Sequence, residues 1–227
     1  RDHVYDVLRC RRSFAWRGGG QSGRGLMIGW ARASGMDTGV LFSGERFAPK
    51  PLGVREAQES DLADAPRAVR LDCPDWLLDR FDREYGAESD AILAALQSRA
   101  PVFLRVNLAR SDREGAARML AGDGISTRPH ALARSALEVL ENPRRVAKSR
   151  AYLQGVVELQ DAASQAVVDC LPLKDGHRVL DFCAGGGGKS LAMAAAAAKV
   201  SITAHDIDNK RMNDFPGRAK RAGVAIE

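Results

Sequence analysis

The chain has 227 residues, 45% hydrophobic and 28% charged, a balance that describes a folded globular protein and excludes a disordered one. No uncharged apolar run approaches the ~20 residues that a bilayer-spanning helix needs, and no secretory signal opens the sequence. The net charge of +5 and pI of about 9.2 favour an anionic partner such as nucleic acid. Cys10, Cys73, Cys170 and Cys183 are scattered, without the close spacing of a metal site or redox pair, so no metal and a reducing, cytoplasmic compartment are expected. The chain opens Arg-Asp-His rather than with Met, which reads as a trimmed start.

Residues 1–50 read as a helical remnant. Val4, Tyr5 and Leu8 form one apolar face and Leu26, Met27 and Trp30 another, ending at the breaker "SGMDTG". Residues 51–70 are polar, carry two prolines and read as a linker wrapped on a surface.

Residues 71–145 alternate helix and strand and predict a small α/β domain. "AESDAILAALQSR" has Ile92, Leu93 and Leu96 at helical spacing, and "PVFLRVNLA" puts Val102, Leu104 and Val106 on one strand face. Arg105 and Asn107 then fall on the opposite face, away from the core, where they would meet RNA or the following domain. "SDREGAARMLAG" predicts a helix opened by Ser111 and Glu114 in capping-box spacing. "GISTRPH" and "SALEVL" are candidate strands. The basic cluster Arg144, Arg145, Lys148 and Arg150 suits contact with RNA phosphates, or is a solvated surface.

Residues 146–227 predict β–α–β–α–β, the start of a parallel, doubly wound sheet: strand "RVLDF", an alanine-rich helix, strand "VSITAHD", a helix around 208–221 and a last strand "VAIE". The first strand runs into four consecutive glycines, Gly185, Gly186, Gly187 and Gly188. A phosphate-cradling loop would end Gly188-Lys189-Ser190 as here, but its leading glycine is replaced by Cys183. The dinucleotide fingerprint lacks its third glycine, because Ser190 stands there. The pattern acid-x-x-x-Gly-x-Gly, Asp181 to Gly187, fits the loop on which S-adenosylmethionine lies. That ligand needs a bend without side chains and an acid after the second strand for its ribose hydroxyls. Asp206 is placed for that role, with Asp208 as a competitor better suited to cap the next helix. This reading requires Asp206 beside the bend and open space above it.

"LDFCAGGGGKS" resembles the cofactor loop of RNA (cytosine-5) methyltransferases of the Nol/Nop/Sun (Fmu) type, usually Asp-x-Cys-Ala-Ala-Pro-Gly-Gly-Lys-Thr. "VFLRVNLAR", "GVVELQDAASQ" and "AHDIDNKRM" resemble further segments of that family in the same order, and residues 1–50 more faintly resemble the end of its NusB-like helical domain. The resemblance implies the first half of a Rossmann-type S-adenosylmethionine-dependent domain, preceded by an RNA-recognition-like α/β domain. Its cofactor-side residues would be Cys183, Ala184, Gly185, Gly186, Gly187, Gly188, Lys189, Asp206 and Arg211. RNA, ribosomal in particular, would be held by Arg105, Asn107, Arg144, Arg145 and Lys148.

The family departs from this sequence at Gly185 and Gly186, where it has Ala and Pro. Its catalytic cysteine lies in a Pro-Cys-Ser segment that these 227 residues do not contain, so no catalytic residue is nominated and it is expected downstream of Glu227. Cys183 is expected to pack on the cofactor side and Cys170 in the core. Lys189 would face the cofactor carboxylate, an RNA phosphate or solvent. Arg211 would tie down Asp206 or a neighbouring loop. A non-catalytic nucleic-acid-binding module with a degenerate Rossmann fold, and a P-loop nucleoside triphosphatase (NTPase), remain the alternatives.

Overall fold

A computed structural model describes residues 2–197 and 199–225. The chain forms two compact units, 1–100 and 101–227, so the contacts divide it once where the sequence suggested boundaries near 50, 70 and 145.

The first unit is helical. Helices α1 (Asp2–Arg9), α2 (Arg11–Arg17) and α3 (Gly23–Ala33) open it, and α4 (Asp75–Tyr85) and α5 (Ser89–Leu96) close it. Helices α2 and α3 approach closely because Gly29 lies on the carbonyl of Phe14, where any side chain would collide. The expected face of Val4, Tyr5 and Leu8 is exposed rather than packed. Residues 51–70 lie against α2 and α3: Arg24 forks onto Glu56 at 2.7 and 3.0 Å, and the Trp16 indole donates to the Asp61 carbonyl at 3.0 Å. Asp72, at φ 50°, accepts the N–H groups of Arg12 and Ser13 and so pins α2 to the return segment.

The second unit holds two sheets. Strand β1 (Val102–Val106) is followed by α6 (Arg113–Gly122), β2 (Thr127–Pro129), β3 (Ala136–Val139) and β4 (Val157–Leu159), giving an antiparallel sheet of order β2-β3-β1-β4. The cap of α6 is Asp112, which accepts from Gly115 N–H at 2.6 Å, rather than Ser111. Leu104, Val106, Leu120, Ile125, Leu137 and Val157 form the core under one face. Helix α7 (Ala162–Asp169) covers the other through Ala162, Ala166 and Phe103.

Strand β5 (Arg178–Asp181), α8 (Gly188–Ala196), β6 (Ser201–Ala204) and α9 (Phe215–Ala222) then form a parallel pair with its helices. The last helix starts late, at Phe215-Pro216, after a short 3-10 turn over Asn209–Met212. Of the expected final strand, Val224 and Ala225 are in no strand and the remainder lies outside the described residues. Among the described residues no helix is long and apolar enough to cross a membrane, and no group of three or more His, Cys, Asp or Glu could hold a metal ion.

Candidate functional site

Parallel pairing puts Asp181 opposite Ala204, so the loops after β5 and β6 leave the sheet side by side. They are stitched by main-chain bonds: His205 N–H donates to the Asp181 carbonyl and Ala184 N–H to the His205 carbonyl, both at 2.9 Å. The Asp181 carboxylate accepts the Ser190 hydroxyl at 2.7 Å, which fastens the first turn of α8 beneath the bend. Gly185 and Gly187 have φ of 51° and 76°, a region that side chains disfavour.

Asp206 lies at the bend, as the sequence required. It is 4% exposed, and its Oδ2 accepts the Gly185 N–H at 2.9 Å while Oδ1 accepts the Asp208 N–H at 3.0 Å. Those bonds, that from Asp208 first, hold its pKa below the ordinary carboxylate range against the opposing effect of burial; Arg211, 3.6 Å away, adds to them. One lone pair on each oxygen stays free, which suits a vicinal diol. Asp208 caps the following turn by accepting from Lys210 N–H at 3.0 Å. A buried carboxylate bonded to the loop's own N–H repels a phosphate, so the bend is ill suited to a nucleotide triphosphate.

The open space that the sequence reading also required is not found: side chains crowd the bend. The Phe215 ring presses on Gly187, and the guanidinium groups of Arg211 and Arg218 lie against Gly185 and Gly186. Arg218 donates to the Gly186 carbonyl. The two guanidinium groups are ends of flexible side chains, whereas the Phe215 ring is buried.

Ala184 is buried, and Lys189 is half-buried on the first turn of α8. Cys183 is exposed rather than packed, the loop being held instead through the main chain of its neighbour Ala184, and Cys170 is exposed at the end of α7 rather than in the core. Arg144, Arg145 and Lys148 are exposed on a 3-10 turn (Pro143–Lys148) anchored by buried Val146, and Arg150 pairs with Asp123 at 3.2 Å.

Arg105 and Asn107 require correction. Their strand face is covered, leaving them 3% and 4% exposed, so they present nothing to RNA. Asn107 bonds the carbonyls of Gly155 and Ala222 at 3.2 and 3.1 Å, tying β1 to α9. Arg105 sits opposite Glu158 in the β1–β4 register, and burial lowers its pKa to about 10 against the raising effect of Glu158. The strand alternation was read correctly, but both faces of this sheet are packed.

Sequence reasoning missed Glu158, Gln160 and Arg218. Buried Glu158 pairs with Arg221 at 2.9 Å and Arg218 at 3.5 Å, so β4 holds α9 and, through Arg218, the glycine bend. The signal was present: Glu158 and Gln160 alternate onto one strand face, and Arg218 and Arg221 are three apart on one helix face.

A parallel strand–bare loop–helix–strand unit with a carboxylate after its second strand, behind a four-stranded α/β layer, defines the class: a Rossmann-like methyltransferase fold. Residues 73–147 match the family described as Methyltr_RsmF/B-like, ferredoxin-like domain. "Ribosomal RNA small subunit methyltransferase B" of Serratia proteamaculans is 37% identical over 154 residues, 68% of this chain and 36% of that protein. The protein of that name from Citrobacter koseri is 34% identical over 168 residues, 74% and 39% of the respective chains. The chain thus spans under two fifths of the length of these curated relatives. Two solved structures share the fold. A methyltransferase homologue from Pyrococcus horikoshii has a TM-score of 0.61 at 23% identity, covering 70% of this chain and 53% of its own. NSun6 from the same organism, solved with SFG, has a TM-score of 0.60 at 16% identity, covering 67% and 64%. The chain belongs to the RsmF/B-like methyltransferase family.

Proposed function

We propose that the protein methylates carbon 5 of cytosine in RNA, ribosomal RNA in particular, and that this chain supplies the S-adenosylmethionine platform and part of the RNA grip. The observation that carries the reading is the buried Asp206 carboxylate, bonded to the Gly185 N–H at 2.9 Å, beside a bend of four glycines. The bound cofactor would supply an electrophilic methyl on a sulfonium. Asp206 would accept its ribose hydroxyls. Gly185 and Gly186 would let it lie against the main chain, with the exposed Arg211 free to swing aside. Arg144, Arg145 and Lys148 would bind phosphates without reading sequence. The name of the relatives, ribosomal RNA small subunit methyltransferase B, supports ribosomal RNA of the small subunit as the substrate.

Cytosine carbon 5 is a poor nucleophile until a thiolate adds at carbon 6, and no cysteine of this chain is assigned that task. The test is to incubate the full-length protein with small-subunit ribosomal RNA and methyl-labelled cofactor, then digest the RNA to nucleosides for mass spectrometry. Labelled 5-methylcytidine is the expected product. A label on any other nucleoside overturns the position, and no label on RNA overturns the activity.

A further inference from the structure

We propose that Gln160 and Arg218 hold the α-amino-acid end of the sulfonium nucleoside at the first turn of α8. The inference rests on the function proposed above and assigns residues that neither the glycine motif nor the relatives' names assign.

Gln160 follows β4 directly and is 8% exposed. Its Nε2 and Oε1 are both buried, and neither has a hydrogen-bond partner among the described residues. Buried polar groups are nearly always bonded, so a carboxamide with both ends free marks a place where something else bonds. Nε2 lies 3.6 Å from where a side chain on Gly188 would begin, which sets the amide against the opening turn of α8. That turn offers main-chain N–H groups without helical partners, and the positive end of the helix dipole. Arg218 stands at the same turn, with Nη2 4.0 Å from that Gly188 position. The surrounding charge is positive even with Asp181 bonded to Ser190 in that turn: Arg105, Arg218 and Arg221 gather around the carboxylate of Glu158.

Excess positive charge and a helix start call for an anion, but an anion alone satisfies only half of Gln160. Nε2 donates, whereas Oε1 needs a donor. A zwitterion supplies both: its carboxylate would take Nε2, Arg218 and the helix N–H groups, and its ammonium would donate to Oε1. At the other end of the bend Asp206 suits a diol. One ligand with a ribose at one end and an α-amino acid at the other matches both ends.

The test compares binding of S-adenosylhomocysteine and 5′-methylthioadenosine to the full-length protein by calorimetry. The second ligand keeps the ribose and base but lacks the amino acid. For Gln160→Leu and for Arg218→Met, affinity for S-adenosylhomocysteine should fall about tenfold or more, the effect of losing a hydrogen bond to a charged group. Affinity for 5′-methylthioadenosine should stay unchanged in both variants. A melting curve reports whether each variant folds, and the two substitutions are independent of each other. Equal losses for both ligands, or no loss for either, overturn the inference while leaving the cofactor reading intact. A wild-type protein that binds neither ligand overturns the cofactor reading itself and the inference with it.

Discussion

The two sheets of the second unit differ in what they bury. The antiparallel sheet is closed: core side chains fill one face, α7 seals the other, and even Arg105 and Asn107 are inside. The parallel pair β5–β6 is open, with Leu180 58% and Phe182 65% exposed and a smaller core of Val168, Ala192, Met193 and Ile202. The candidate site belongs to the open sheet, yet Glu158 and Gln160 reach it from the closed one. The closed layer therefore contributes to the geometry of the loop, through Glu158 and its pair with Arg218.

This contrast can be broken most forcefully in the closed core. Leu104→Ala removes a fully buried side chain at the centre of the four-stranded sheet and should cost about 2–5 kcal/mol. Denaturant unfolding followed by circular dichroism measures it. A cost under about 1 kcal/mol would mean that this sheet is no better packed than its neighbour.

Next in size is the bend. Gly187 combines a φ of 76° with the Phe215 ring lying where a side chain would start. Gly187→Ala should cost about 1–3 kcal/mol in backbone strain and weaken cofactor binding as the loop shifts. Gly176, at φ 84° with nothing near its missing side chain, provides the control. Gly176→Ala carries the torsional strain without the collision, so it should cost less and leave binding unchanged. Equal effects in both variants would show that the ring is no constraint.

A smaller effect comes from titration. Asp206 is held below the ordinary carboxylate range, first by the Asp208 N–H and then by that of Gly185. Its ionised form is therefore favoured by folding. The stability it contributes is complete above the ordinary carboxylate pKa of about 3.9 and disappears as the pH falls through its lower folded value. The gap in melting temperature between wild type and Asp206→Asn should narrow progressively below about pH 4. A gap that stays constant across that range would mean that the carboxylate is not bonded as described.

The site and the scaffold were not equally legible in the sequence. The bend, Asp206 and the Asp208 cap follow from local spacing, because a strand, a tight turn and a helix start are each written within a few residues. The tie from Arg211 to Asp206 was within reach for the same reason. What sequence could not supply was the second layer. Whether the Arg105 and Asn107 face meets solvent or protein depends on α7 and α9, which arrive about 60 and 115 residues later, and alternation alone does not distinguish a sheet covered once from one covered twice. The same ignorance hid Glu158 and Gln160, which matter only because α9 and the glycine bend fold back onto β4. The exposure of Cys183 was misjudged for a related reason: membership in a motif fixes a residue's place along the loop, not which side of the loop is packed.

The finest discrimination comes from matched leucines. Leu180 in β5 is the open sheet's counterpart to Leu104 in β1, each a strand-centre leucine, but Leu180 is 58% exposed and Leu104 is fully buried. Leu180→Ala in the 227-residue chain should change stability by no more than about 0.5 kcal/mol, the range of ordinary surface substitutions. The same side chain is removed in both experiments, so the difference isolates burial from chemistry. A loss approaching that of Leu104→Ala would mean that Leu180 is covered in solution by another molecule of this chain. Such a loss should then grow with protein concentration, as mass action on an associating face requires; a large loss independent of concentration would refute the open sheet described here.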